Sequence, residues 1–441
     1  PIRTARSNPA TLNEPLSQAR AVTIDTNPAP HPRLADACWL RAPETQRVIA
    51  AVTAGGGEAR IVGGAVRNTL MGRPVTDIDI ATTVRPEDVL VRAQAAGLNA
   101  IPTGLSHGTV TVIAGHQPFE VTTLRRDVET HGRHATVAFT EDWSSDAHRR
   151  DFTINALYCD ADGRLYDHTS GLADLSAHRV RFIGRAEDRI AEDYLRILRF
   201  YRFTAEYADG SVDREGHEAC AATQEGLDLI SAERIRAELL KLLAAPHAPL
   251  VVSEMDEAGL LTRILGAPAD VVTFARLAAL EKALNLPPDP IRRLIALAAP
   301  DAGARLRDRL RLSNAEAARI SALDLPDPTF EPGAADDGAK VFIYRHGVET
   351  FRDGVLLTWA RDLASPHSDP ARRSLLALAD RWIAPTLPVS GKDLLALGVR
   401  AGPQMGAILD QFEDWWITAG FPVEPAIVRQ RLAALINLKK E

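Results

Sequence analysis

Asp77 and Asp79 are separated by one isoleucine in a stretch that alternates polar with apolar residues, Thr76-Asp77-Ile78-Asp79-Ile80. An alternation of period two is that of a strand, and it sends both carboxylates off one face. Like charges that close repel unless a cation sits between them, and paired hard oxygen ligands suit Mg²⁺ carried in with a nucleotide's phosphates. The pair therefore points to divalent-metal phosphoryl or nucleotidyl transfer. Upstream, Gly63-Gly64 falls where a strand becomes a helix, so the backbone can approach a ligand closely and aim N–H groups at an anion. Many such turns use glycine for geometry alone, and the dipeptide gains weight only beside the aspartates. Arg67, one helical turn on, could reach the same phosphates. A Walker lysine is missing, and Gly55-Gly-Gly57 is followed by Arg60 where a dinucleotide fingerprint needs its third glycine.

Three further groups bear on that chemistry. Glu120, in the alternating run Pro118-Phe-Glu-Val-Thr-Thr-Leu124, supplies a third carboxylate if its strand neighbours the one bearing Asp77; alone it would read as a solvated strand residue. Arg149-Arg150-Asp151 abuts an apolar strand, as solvated strand ends often do, and its functional reading is a guanidinium pair facing a triphosphate, with Arg150 favoured. The segment 189–203 reads as one helix with an apolar stripe of Ile190, Tyr194, Ile197, Leu198 and Tyr201. Asp193, Arg196, Arg199 and Arg202 recur every three residues on its other side. Charges so spaced usually mark a solvated face, but Phe200 and Phe203 share this side, so it too should face protein or a ligand. An aspartate and an arginine one turn apart could present an acceptor and a forked donor to a base edge. Among the twelve histidines none stands at metal-ligand spacing, and His107 reads as structural.

The elements that must position these residues follow from the hydrophobic pattern. Strands are expected at 59–62, 76–82, 109–114, 119–123 and 154–159, and a helix at 86–96 opened by Pro86 with Glu87 and Asp88 in its first turn. Beyond about Ala186 strand signals nearly vanish and Ala/Leu/Arg-rich segments punctuated by proline indicate helices alone. At 441 residues the chain exceeds one ordinary core, and 46% hydrophobic with 25% charged residues is a globular balance. A net charge of −7 excludes a uniformly basic coat but not a local nucleic-acid stripe. Three scattered cysteines, no apolar run of membrane length and no central hydrophobic segment in the first 30 residues fit a reducing cytoplasm.

In order and spacing, Gly63-Gly64-Ala-Val-Arg67, the Asp77/Asp79 pair, Glu120-Val-Thr-Thr-Leu-Arg125, Arg149-Arg150-Asp151 and Glu192-Asp193-Tyr-Leu-Arg196 resemble the class II tRNA nucleotidyltransferase and bacterial poly(A) polymerase family, and Glu233-Arg-Ile-Arg-Ala-Glu238 fits its last conserved helix. The resemblance implies an α+β fold, with a polymerase-β-like head of mixed β-sheet and helices followed by all-helical neck, body and tail. The corresponding division is an arm at 1–35, a head at 36–180, a neck at 181–255, a body at 256–335 and a tRNA-binding tail at 336–441. It further implies that Asp77 and Asp79 bind Mg²⁺ and that Glu120 occupies the third carboxylate position. Gly64 and Arg67 would touch the nucleotide, Arg150 and Asp151 its triphosphate and ribose. Asp193 and Arg196 would read the base of CTP or ATP without a template, and Arg199 and Arg202 would complete the pocket. The segment 125–147 falls where the family has a flexible loop. Where the family usually has Asp after its arginine, this chain has Asn68, which keeps hydrogen-bonding capacity and loses the charge. The implied activity is addition of CCA to the 3′ end of tRNA; A-only or poly(A) addition shares the same motifs, and a catalytically silent RNA-binding protein would have no need of three carboxylates together.

Overall fold

The computed structural model describes residues 29–131, 134–324, 327–333 and 336–437. They fall into two compact units, one built from the chain up to Arg126 with 138–148 and 155–171, the other from 127–137, 149–154 and 172 onward. The expected arm lies outside the described residues up to 28; beyond it, Pro32–Ala35 is helical and Leu34 is fully buried.

The first unit holds a seven-stranded mixed sheet of β1 (Ala59–Val62), β2 (Asp79–Thr82), β3 (Asn99–Gly104), β4 (Thr109–Ala114), β5 (Gln117–Thr123), β8 (Leu157–Cys159) and β9 (Leu165–Asp167), in the order β3-β4-β5-β2-β1-β8-β9. Its neighbours run antiparallel except β2 and β5, which are parallel. Register sorts the two faces. Val110, Val121, Ile80, Ile61 and Cys159 are successive cross-strand partners and all are buried, a continuous apolar row. One residue along, Thr111, Glu120, Asp79 and Val62 form the next row on the opposite face. The Pro43–Thr53 and Pro86–Ala95 helices pack on the sheet through Val48, Ile49, Val52, Val89 and Ala93.

Several expected boundaries shift. The strand expected at 76–82 begins at Asp79, so Asp77 lies in the irregular 73–78 segment that feeds it. Burial nevertheless alternates as foreseen, with Asp77 and Asp79 exposed and Ile78 and Ile80 buried. The 154–159 strand shortens to β8 because Thr153–Asn155 forms a single 3₁₀ turn. Strands β3 and β9 were not expected: β3 is mostly exposed and β9 half-buried, so neither carries a strong apolar alternation. In 125–147 the backbone forms β6 (Arg125–His131) and β7 (His134–Phe139), a two-stranded sheet, then a helix Trp143–His148 anchored by buried Trp143 and Ala147.

From Leu172 onward the second unit is helical, and among the described residues no strand follows Asp167. The Leu195–Tyr207 helix packs against Ala232–Ala244 and Ala248–Glu257, and Val271–Ala283 against Pro290–Leu297 and Val348–Arg361. Charges are buried between these last helices. Glu281, 1% exposed, accepts from Nε of Arg292 at 2.9 Å and Nε of Arg293 at 2.7 Å. Asp353, fully buried, accepts from Nε of Arg319 at 2.6 Å. A separate cluster, Leu394, Ile408, Phe412, Trp416 and Leu432, forms the core near the C-terminus.

Candidate active site

In the first unit, β1 turns into the Gly64–Leu70 helix through Gly63, whose φ of 72° and ψ of −116° no side-chain-bearing residue adopts easily. Its N–H donates to the Leu157 carbonyl and its carbonyl accepts from the Arg67 N–H, so the turn is pinned on both sides. Gly64 differs. A Cβ there would meet only the Arg67 guanidinium, at 3.9 Å, so nothing in the protein demands glycine. Arg67, 6% exposed, donates from Nε and Nη2 to Oδ1 of Asn68 at 3.2 and 3.0 Å, and from Nη1 to Oδ1 of Asn155.

Asp79 and Glu120 are direct partners in the parallel β2–β5 pair, both exposed. Residues in parallel register share a face about 5 Å apart, so Glu120 stands beside Asp79, the neighbouring-strand placement on which its reading as a third carboxylate depended. Asp77 precedes the strand by two residues and accepts from the Thr76 hydroxyl at 2.9 Å. Among the described residues no three His, Cys, Asp or Glu side chains converge as a preformed cage would require. Mg²⁺ demands less, since it commonly takes one or two carboxylates and fills its octahedron with waters and substrate phosphates. Exposed, adjacent carboxylates fit an ion that arrives with a nucleotide.

In the second unit, Arg149 and Arg150 are half-buried. Asp151 accepts from Nε of Arg199 at 2.9 Å, and the Asp151 carbonyl accepts from the Ile183 N–H. Burial works against the Arg199 charge, but Asp151 outweighs it and holds the guanidinium above its usual range. Arg202 sits 2.6 Å from the Glu238 carboxylate in an ion pair out of hydrogen-bond alignment, and burial pulls its pKa down against that attraction. Both guanidinium groups lie over the Phe203 ring, at 5.2 and 4.4 Å from its centroid. Phe200 and Phe203 are buried, as expected of a helix whose second side also faces protein.

The single helix expected at 189–203 is broken. Ala186–Glu192 ends at Asp193, whose backbone is extended (φ −155°, ψ 106°), and Leu195–Tyr207 begins after it. The cause is local: the Asp193 carboxylate accepts from the Leu195 N–H at 3.1 Å, a side-chain turn that competes with helical pairing. Its other oxygen accepts from Arg234 at 2.6 Å. Arg196 donates to Glu192 at 2.5 Å and to the Arg189 carbonyl at 2.9 Å. Asn155, Glu192, Arg234 and Glu238 are thus partners of site residues that the sequence did not single out. Three stood at four-residue helical spacing, Glu192 with Arg196 and Arg234 with Glu238, but only the first spacing marks an actual pair, since Arg234 bonds Asp193 and Glu238 pairs with Arg202.

Residues 59–181 match the family described as "Poly A polymerase head domain", and residues 211–269 that described as "Probable RNA and SrmB- binding site of polymerase A". The chain is 37% identical over 372 residues to the mouse (Mus musculus) protein named CCA tRNA nucleotidyltransferase 1, mitochondrial, a match covering 83% of this chain and 84% of that one. The chain belongs to the class II CCA-adding tRNA nucleotidyltransferase family. A bacterial relative, the CCA-adding enzyme of Lactobacillus gasseri, is 32% identical over 380 residues, covering 83% of this chain and 90% of the relative. Of the solved structures, the Bacillus stearothermophilus CCA-adding enzyme in complex with CTP superposes with a TM-score of 0.68 at 27% identity, over 90% of this chain and 99% of that one. The family's mixed-sheet head followed by helices is the fold described above. Among the described residues no helix is long and apolar enough to cross a membrane.

Proposed function

We propose that the chain adds C, C and A to the 3′ end of tRNA without a template. The terminal RNA hydroxyl attacks the α-phosphate of CTP or ATP, a new P–O bond forms, and pyrophosphate leaves. The observation that carries this reading, beyond family membership, is the register of Asp79 against Glu120 on adjacent parallel strands, with Asp77 just ahead. Asp77 and Asp79, with Glu120 beside them, would hold Mg²⁺, which when bound lowers the pKa of the attacking hydroxyl and neutralises charge on the phosphates.

The remaining residues bind and orient. Gly64 leaves room for a phosphate close to the backbone, and Arg67, fixed by Asn68 and Asn155, faces the nucleotide with a preset guanidinium. Arg150 and Asp151 hold triphosphate and ribose, with Arg199 bracing Asp151 and Arg202 completing the pocket. Asp193 and Arg196 offer an acceptor and a forked donor to the base edge, each steadied by an opposite charge. Pre-set groups of this kind lower a barrier because they cost no reorganisation during the reaction. We assign the head to 36–180, the neck to 181–255, the body to 256–335 and a tRNA-binding tail to 336–441. Unpaired Cys38, Cys159 and Cys220 support a reducing compartment, the cytoplasm in our reading.

Purified protein incubated with tRNA lacking its CCA end, labelled CTP and ATP, and Mg²⁺ should incorporate both nucleotides; incorporation of neither would sink the proposal. The head-domain match to poly(A) polymerase favours a second reading, A-only addition in the form of poly(A) tailing. Omitting CTP separates the two, since a CCA-adding protein stalls on the truncated tRNA and a poly(A) polymerase does not. Asp77→Ala should abolish incorporation and leave tRNA binding largely intact, which a silent RNA-binding protein would not show.

A further inference from the structure

We propose that Asn68 is a positioning residue for nucleotidyl transfer, one amide that sets the Arg67 guanidinium and the backbone approaching Asp77 in a single arrangement. The inference rests on the roles given above to Arg67, Asp77 and Asp79. Oδ1 of Asn68 accepts from two nitrogens of Arg67, at 3.2 and 3.0 Å, while Nδ2 donates to the Pro74 carbonyl at 3.0 Å. The Arg73 N–H returns a bond to the Asn68 carbonyl at 2.8 Å. Asn155 accepts from another guanidinium nitrogen, so two amide oxygens set the plane of a side chain that is 6% exposed. On the other side, Pro74 stands three residues before Asp77, in the 73–78 segment that has no regular structure. The Asn68 amide and the Arg73 backbone bond are two ties on its first residues.

Both ends of the contact demand chemistry that few side chains combine. A guanidinium needs an acceptor and a carbonyl needs a donor, and an uncharged amide carries one of each. An aspartate, the family's usual residue here, would still accept from Arg67 but would turn an anionic oxygen toward the Pro74 carbonyl, so the tie to Pro74 belongs to this chain's amide and not to the family's acid. The substitution Asn68→Asp therefore separates the two functions in one atom change, and Asn68→Ala removes both.

The test is steady-state CMP and AMP addition by the full chain and both variants, with kcat, KM for each nucleotide, half-saturating Mg²⁺ and melting temperature measured together. Asn68→Asp should keep KM within about threefold while kcat falls and the Mg²⁺ requirement rises about tenfold. Asn68→Ala should also raise KM about tenfold, the scale of a lost hydrogen bond to a charged group. A residue that only stabilised the scaffold would lower the melting temperature and leave KM and the Mg²⁺ requirement where they were. Wild-type constants in Asn68→Asp overturn the Pro74 link, and unchanged constants in both variants overturn the proposal as a whole. Wild-type protein that adds neither nucleotide speaks against the function itself, whereas active wild type with unaffected variants speaks against Asn68.

Discussion

Asp193 accepts from the Arg234 guanidinium at 2.6 Å across 41 residues of sequence, and the two side chains are equally half-buried. The contact holds one carboxylate oxygen while the Leu195 N–H holds the other, so the carboxylate has little rotational freedom left. If Asp193 reads the base edge, Arg234→Ala should raise KM for CTP and ATP about tenfold, in line with a charge-assisted bond of roughly 1.5–3 kcal/mol. A double-mutant cycle with Asp193→Ala should return a coupling well above 0.5 kcal/mol; additive effects would show that the ion pair is incidental to recognition.

The two glycines should separate under substitution. Gly63→Ala forces a side chain into positive φ and should cost stability of about 1 kcal/mol or more. Gly64→Ala meets nothing closer than 3.9 Å and should melt like wild type. If the backbone there touches the nucleotide, its KM rises while the fold is intact. Parallel melting curves and nucleotide titrations check both, and a normal KM in Gly64→Ala would remove Gly64 from the pocket.

Glu281 is the shared acceptor of two arginines that are themselves 5% and 6% exposed. Removing it leaves two buried guanidinium groups without their shared acceptor, with Asp353, 3.6 Å from Arg292, the remaining carboxylate. Glu281→Ala should therefore destabilise the helical unit by about 3–5 kcal/mol, read as a lower urea midpoint. A loss under 1 kcal/mol would mean that water or Asp353 takes over the charges.

Acid should expose the anchor of the 149–154 segment. Burial pushes the Asp174 carboxyl up, but bonds from Thr153, Arg179 and Arg181 outweigh it and hold it below the usual carboxylate range. A folded-state pKa lower than the unfolded one gives stability that is complete above the unfolded value and is lost as pH falls through the folded value. The wild-type melting temperature should thus drop more steeply than that of Asp174→Asn between about pH 5 and pH 2, the carboxylate window. Equal slopes would show that Asp174 contributes no linked protons.

Much of the motif arrangement was legible because it lies in local spacing. One apolar residue between Asp77 and Asp79, glycines after a strand, and a switch from alternating to helical patterns near Ala186 are all properties of short windows. The same windows misled at 189–203, where an uninterrupted charge period read as one helix. There the Asp193 carboxylate bonds its own backbone and breaks the chain's course, an effect of one side chain that periodicity cannot register. Strands β3 and β9 were missed for a related reason, since exposed or half-buried strands carry little apolar alternation.

By itself the sequence determined which residues carry charge, in what order, and that Asp79 and Glu120 leave their strands on the side away from the apolar rows, because a period of two is a property of the backbone. Only the tertiary structure decided that Glu120 stands next to Asp79, that Arg234 holds Asp193, and that Asn68 joins Arg67 to Pro74. Strand order, register and long-range hydrogen bonds depend on which buried rows pack together, and no local window contains that information.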